Sequence, residues 1–104
     1  MNEFESLTAE IRKFAQARNW EQFHTSKNLA MAIAGEAGEL SAEFQWLSPD
    51  ESEGTSMSPN KLKSIALEIA DVQIYLLRLA DVLSIDIPES VRLKLATNES
   101  RFPI

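Results

Sequence analysis

Residues 58–83 read SPNKLKSIALEIADVQIYLLRLADVL, and this stretch decides the fold. Leu62, Ile65, Ile69, Val72, Leu76, Leu79 and Leu83 recur at steps of three, four and seven, which gathers side chains on one face of an α-helix. Ser58-Pro59 suits the entry, with proline in the first turn where its missing N–H costs nothing. Ile74, Leu77, Val82 and Ile85 widen the stripe beyond a single face. A helix apolar over more than half its circumference needs covering on two sides. The 104 residues make one domain with one core, residues 1–104. So small a protomer cannot cover this helix alone, and self-association is expected.

Upstream of Ser58, a serine-rich stretch over residues 48–60 with two prolines and three acids reads as a mobile loop. Ser48-Pro49 ends a preceding helix at about Leu47, because proline disfavours helical geometry in the residue before it. Thr25 or Ser26 can cap the start of that helix. An earlier helix covers about residues 3–18, with Phe4, Leu7, Ile11 and Phe14 at helical spacing, and Asn19-Trp20 breaks it. A shorter fourth helix starts near Pro88 and carries Val91, Leu93 and Leu95. Only three glycines and four prolines punctuate the chain, and no stretch alternates β-branched residues. The fold class is therefore all-α, a compact four-helix bundle protomer.

Composition excludes several functions. Hydrophobic residues are 44% and charged residues 25%, which suits a globular domain and indicates neither disorder nor a membrane protein. The amino terminus, Met1-Asn2-Glu3-Phe4-Glu5, is acidic where a secretory signal would be basic, so a cytoplasmic location is expected. With no cysteine, thiolate metal sites and a cysteine nucleophile are excluded, and the single histidine, His24, rules out any site needing two. The net charge of −6 lies wholly in residues 35–54, where Glu36, Glu39, Glu43, Asp50, Glu51 and Glu53 occur without a base. Nucleic-acid binding by a basic face is disfavoured, because no stretch could release many phosphate counterions.

Two carboxylate pairs stand out. Glu36-Ala37-Gly38-Glu39 lies in the second helix and Glu68-Ile69-Ala70-Asp71 in the third, and i, i+3 spacing puts each pair on one face. Leu40, Ile65, Ile69 and Val72 adjoin them, so the acids stand at the edge of the core. Four acids brought together there repel one another and lose hydration unless cations neutralise them. All-oxygen ligands select hard ions, Mg²⁺ or Mn²⁺. The alternative is a solvated stripe on each helix. A di-iron carboxylate bundle needs a Glu-x-x-His pair from each of two helices, which a chain with one histidine cannot supply. Small residues at Ala30, Ala32, Ala34, Gly35, Ala37 and Gly38 would let a partner helix or a ligand approach the backbone. For Glu43 and Arg78 an ion pair or a solvated rim is the better reading, and Phe14, Phe23 and Phe44 are assigned to the core.

The order Glu36-x-x-Glu39 followed by Glu68-x-x-Asp71 resembles the metal motif of the all-α nucleoside triphosphate pyrophosphohydrolases, the MazG-like superfamily. Surrounding segments sharpen the likeness: Arg18-Asn19-Trp20-Glu21-Gln22-Phe23-His24, Lys27-Asn28-Leu29, Phe44-Gln45-Trp46, Asp71-Val72-Gln73-Ile74-Tyr75-Leu76, and Lys94, Asn98 and Arg101-Phe102-Pro103 near the end. Together they resemble the compact dCTP pyrophosphatase branch over about residues 4–103, with Phe102 where that branch often has tyrosine.

The resemblance implies an enzyme that hydrolyses a (deoxy)nucleoside triphosphate, dCTP or a modified dCTP foremost, to the monophosphate and pyrophosphate. The same chemistry on another base and a non-catalytic helical interaction module are the alternatives. Mg²⁺, with Mn²⁺ a possible substitute, would be held by Glu36, Glu39, Glu68 and Asp71, with Glu36 or Glu39 activating the water. Lys94 and Arg101, and less strongly Lys61 or Arg78, would offset the charge of the triphosphate. Trp20, Trp46 and Tyr75 offer stacking surfaces, and His24, Asn28 and Asn98 hydrogen-bonding edges, for the base. Aromatic residues at helical spacing are otherwise core residues, and a lone histidine is otherwise structural. The resemblance also implies a homotetramer, a dimer of dimers.

Overall fold

Four helices carry the chain in a computed structural model that describes residues 2–104: α1 (Glu3–Ala17), α2 (Ser26–Ala42), α3 (Pro59–Val82) and α4 (Ile87–Arg101). No strand occurs among the described residues. Each helix begins on a side chain that accepts an otherwise unpaired amide. Asn2 takes Glu5 N–H, Thr25 takes Asn28, Ser58 takes Lys61 and Asp86 takes Glu89. Proline follows the cap of α3 and lies in the first turn of α4.

Two helices end the same way. Asn19 and Ser84 both have φ of 56°, the left-handed turn that lets the next amide reach back into the helix. Trp20 N–H thereby reaches Ala15 O at 3.0 Å, and Ile85 N–H reaches Ala80 O at 2.8 Å. Asn19 is thus the physical cause of the break at Asn19-Trp20.

α2 is shorter than its sequence suggests, ending at Ala42 rather than about Leu47. Glu39 and Glu43 bring negative charge to a carboxyl terminus that is already the negative end of the helix dipole, and the last turn of α2 carries no base of its own. From there the chain tightens into turns, with Phe44 N–H on Ser41 O at 3.0 Å and Leu47 N–H on Phe44 O at 3.0 Å. The segment read as a mobile loop carries local hydrogen bonds. Ser48 N–H donates to Glu51 Oε1 at 2.9 Å while Glu51 N–H donates to Ser48 Oγ at 3.2 Å, a reciprocal box of the kind that starts helices. A short 3₁₀ turn at Gly54–Ser56 precedes α3.

α3 is the spine. α2 lies antiparallel along it, as the pairs Glu43–Lys61, Glu43–Ser64 and His24–Arg78 show, while Arg12 to Asp81 ties α1 to its far end. Ala15, Leu29, Ile65, Leu77 and Ala80 form the buried core, and α4 buries none of its residues. The protomer exposes 7893 Å². That is about 2000 Å² more than a folded monomer of this mass ordinarily presents. Much of it is apolar: Leu67, Ile69 and Ile74 on α3 and Val91, Leu93 and Leu95 on α4 are all exposed. Phe14 and Phe23, assigned to the core from sequence, are exposed at 50% and 61%, because one protomer brings no second layer against them. Phe14 instead meets the Trp20 ring edge-on at 5.6 Å and carries the Arg18 guanidinium over its face at 3.5 Å.

Candidate functional site

α2 presents Glu36 and Glu39 to α3, where Glu68 faces them. Carboxylate oxygens of these three residues lie within 4.8 Å of one another, one from each. Asp71 lies outside this triad, one turn further along α3, and is exposed. Its charge is nonetheless felt by both Glu36 and Glu68.

The electrostatics of the cluster are one-sided. Loss of hydration, then the charges of Glu39 and Asp71, push the Glu36 carboxyl above its ordinary range. Glu68 is pushed the same way by the same loss, followed by Glu39, Asp71, Glu36 and Glu43. Oε2 of Glu36 and Oε2 of Glu68 are buried and accept no hydrogen bond. A buried oxygen without a donor is costly, and here two stand in one cluster with no base among them. Such a donor set is incomplete as a protein hydrogen-bond network and suits a hard divalent cation, whose charge would satisfy the orphaned oxygens.

The neighbouring charges are already paired. Glu43, at the edge of the cluster, receives Lys61 Nζ at 2.8 Å and Ser64 Oγ at 2.7 Å, and the Lys61 hydrogen bond leads in holding its pKa down. Arg78, 6% exposed, donates to Asp81 and to His24. Lys61 and Arg78, the weaker candidates for binding phosphate, are thus engaged within the protomer.

Candidates for contact with a base are spread over several elements. Trp20 and His24 stand together, their rings 6.1 Å apart edge to face, beside the 3₁₀ turn Glu21–Phe23. Asn28 buttresses that turn by donating Nδ2–H to Phe23 O at 3.1 Å. Tyr75 is half-buried, one turn beyond Asp71 on the same face of α3. Trp46 is 87% exposed and covered by nothing in the protomer. Lys94, Asn98 and Arg101 lie on α4, with the Arg101 guanidinium over its neighbour Phe102 at 5.1 Å.

One feature escaped sequence reasoning. Asp81 takes both Arg12, 69 positions away, and Arg78, so a salt-bridge network joins α1, α3 and the His24 turn. The only local signal was the i, i+3 pair Arg78–Asp81 on an otherwise apolar helix.

No protein-family model matches the chain. The crystal structure of a pyrophosphatase from Archaeoglobus fulgidus superposes with a TM-score of 0.90, at 38% identity, over 100% of this chain and 95% of that one. The chain belongs to the all-α nucleoside triphosphate pyrophosphohydrolases, the MazG-like superfamily. Within that superfamily it is similar to dCTP pyrophosphatase 1 of Bos taurus, at 43% identity over 93 residues, and of Homo sapiens, at 41% over 91 residues. These alignments take in 88% of this chain but 54% of either relative, so it spans about half their length. Membership in this pyrophosphohydrolase superfamily accords with the architecture, in which an acid pair on α2 meets an acid on α3.

Proposed function

We propose that this protein hydrolyses a (deoxy)nucleoside triphosphate between its α and β phosphates, dCTP or a modified dCTP foremost, clearing such nucleotides from the cytoplasmic pool. The observation that carries the reading is the Glu36–Glu39–Glu68 triad with its two orphaned buried oxygens, in a chain of this superfamily. Glu36, Glu39, Glu68 and Asp71 would hold Mg²⁺, or Mn²⁺ in its place. Such an ion supplies charge neutralisation at the phosphate oxygens and lowers the pKa of a bound water. Glu36 or Glu39, at the edge of the site, would orient that water and accept its proton. Lys94 and Arg101 would balance the remaining phosphate charge, while Trp20, His24, Asn28, Trp46, Tyr75 and Asn98 would contact the nucleoside.

Residues 1–104 act in this reading as one domain, and the exposed apolar faces of α3 and α4 are the surfaces along which protomers assemble, as a dimer of dimers. The deciding experiment is pyrophosphate release from a panel of nucleoside triphosphates, with and without Mg²⁺. Release from dCTP in excess of dUTP and dATP, abolished by chelation, is expected. Absence of metal-dependent release from every triphosphate would overturn the proposal.

A further inference from the structure

Apart from the acids, the half-buried ring of His24 is gripped by side chains that take no part in cation binding. Arg78, buried, donates Nε–H to His24 Nδ1 at 3.1 Å and Nη1–H to Asp81 Oδ2 at 3.0 Å. Asp81 also receives Arg12 on both oxygens, Nε to Oδ2 at 2.9 Å and Nη2 to Oδ1 at 2.6 Å. A guanidinium offers only donors, so Nδ1 must be the nitrogen with the free lone pair. In the neutral ring the proton then sits on Nε2. The neutral ring is also the favoured one, since burial, then the Arg78 charge, hold the His24 pKa below its ordinary value. Nε2 makes no hydrogen bond among the described residues.

We propose that Arg78, clamped by Asp81 and Arg12, is a positioning residue that fixes His24 as an Nε2–H donor to a hydrogen-bond acceptor on the nucleobase. This rests on the nucleotide reading above. Helical register supports it. Glu68, Asp71, Tyr75 and Arg78 share one face of α3 at steps of three and four. Arg78 lies two turns past Asp71, about 10 Å along the axis. That separation is comparable with the reach from the phosphates of a nucleotide to its base. A ligand with its phosphates at the acids would bring its base to His24 and the adjoining Trp20 ring. Both guanidinium contacts of Arg78 are spent on this arrangement, which distinguishes it from a phosphate-binding arginine.

The single histidine makes the test direct, because ¹⁵N-imidazole labelling yields one pair of ring resonances. The wild type at neutral pH is expected to show a protonated Nε2 and a lone-pair Nδ1, and Nε2 should shift with dCMP but not with deoxyribose 5-phosphate. Arg78→Lys keeps the charge and loses the fork, so it should mix the tautomers and raise KM for dCTP about tenfold, with kcat changed less than about twofold. Arg12→Gln loosens the clamp from the surface and should move KM in the same direction by less, which keeps the test open if Arg78→Lys does not fold. A wild-type ring protonated on Nδ1 would overturn the proposal, as would an Nε2 indifferent to dCMP in a protein that releases pyrophosphate from dCTP. A protein that releases no pyrophosphate, yet whose Nε2 answers dCMP, would overturn the hydrolytic reading and leave this one standing.

Discussion

Glu36 and Glu68 face each other across the seam between α2 and α3, each with its Oε2 shut away from solvent and from every donor among the described residues. Repulsion and lost hydration make this pair a cost to the fold in the absence of a cation. Replacing Glu68 by glutamine removes one charge at constant shape, so the metal-free Glu68→Gln protein should melt no lower than wild type, and should fail to release pyrophosphate. Millimolar Mg²⁺ should raise the wild-type Tm by several degrees, since about 1 kcal/mol moves a domain of this size by about 4–8 °C, and leave the variant nearly unmoved. A wild-type melt indifferent to both Mg²⁺ and Mn²⁺ would remove the cation from the account.

The Arg12–Asp81 pair gives a pH signature of the opposite kind. The Arg12 hydrogen bond outweighs burial and, with the charges of Arg12 and Arg78, holds the Asp81 carboxyl below its ordinary 3.8. Stability from a lowered carboxyl is complete above the unfolded value and drains as the pH falls through the lower folded one. The Arg12 side chain is 46% exposed, so solvent screening limits the loss in Arg12→Gln to below about 1 kcal/mol at neutral pH. Urea midpoints should fall less steeply below pH 3.8 in that variant than in wild type. Equal slopes would show that Arg78 alone holds Asp81.

Apolar surface on α3 and α4 calls for a second copy. An interface of standard size buries about 800 Å² per partner, well within the excess that this protomer exposes. Multi-angle light scattering at micromolar concentration should report a mass above 11.7 kDa, with a tetramer the expected species. Leu93→Glu, at a site 69% exposed in the protomer, should lower that mass if α4 lies in the contact. A monomeric wild type would leave the apolar faces without an explanation of this kind.

Ser84 closes α3 at φ 56°. A non-glycine residue there carries a steric penalty of roughly 1 kcal/mol, partly offset in a glycine variant by the greater freedom of its unfolded chain. Ser84→Gly should therefore raise Tm by a few degrees and leave pyrophosphate release unchanged. A lower Tm would mean that the serine side chain contributes to the turn.

The helices and their starts were legible in the sequence because each rests on local information: the three-and-four stripe from Leu62 to Leu83, the Thr25 cap, proline at position 59. The end of α2 was not, since Ser48-Pro49 is a strong local stop while the weaker cause, acids piled on the negative end of a dipole, acts one turn earlier. The i, i+3 acids could be paired within each helix from their spacing alone. That Glu68 rather than Asp71 closes with Glu36 and Glu39 depends on how far α2 slides along α3, which no spacing records. Arg12 and Asp81 meet only because α1 folds back over the spine, and contact across 69 positions leaves no periodic trace. Phe14 and Phe23 went astray for a different reason: their spacing reports an apolar face truthfully, but not whether the same chain covers it.

Gly35 and Gly38 flank the acids of α2, and a Cβ at either would meet nothing within 4 Å. The protomer's packing thus sets no steric requirement for them, while each lowers helical stability by about 1 kcal/mol relative to alanine. The backbone of α2 is therefore weakest over the very turn where its carboxylates repel one another most. Amide protons of residues 35–39 should exchange with solvent through local opening, well below the cost of global unfolding. A cation seated between Glu36, Glu39 and Glu68 would act on that turn as a rivet, so its binding would be read as slowed exchange in the middle of a helix rather than at its frayed ends.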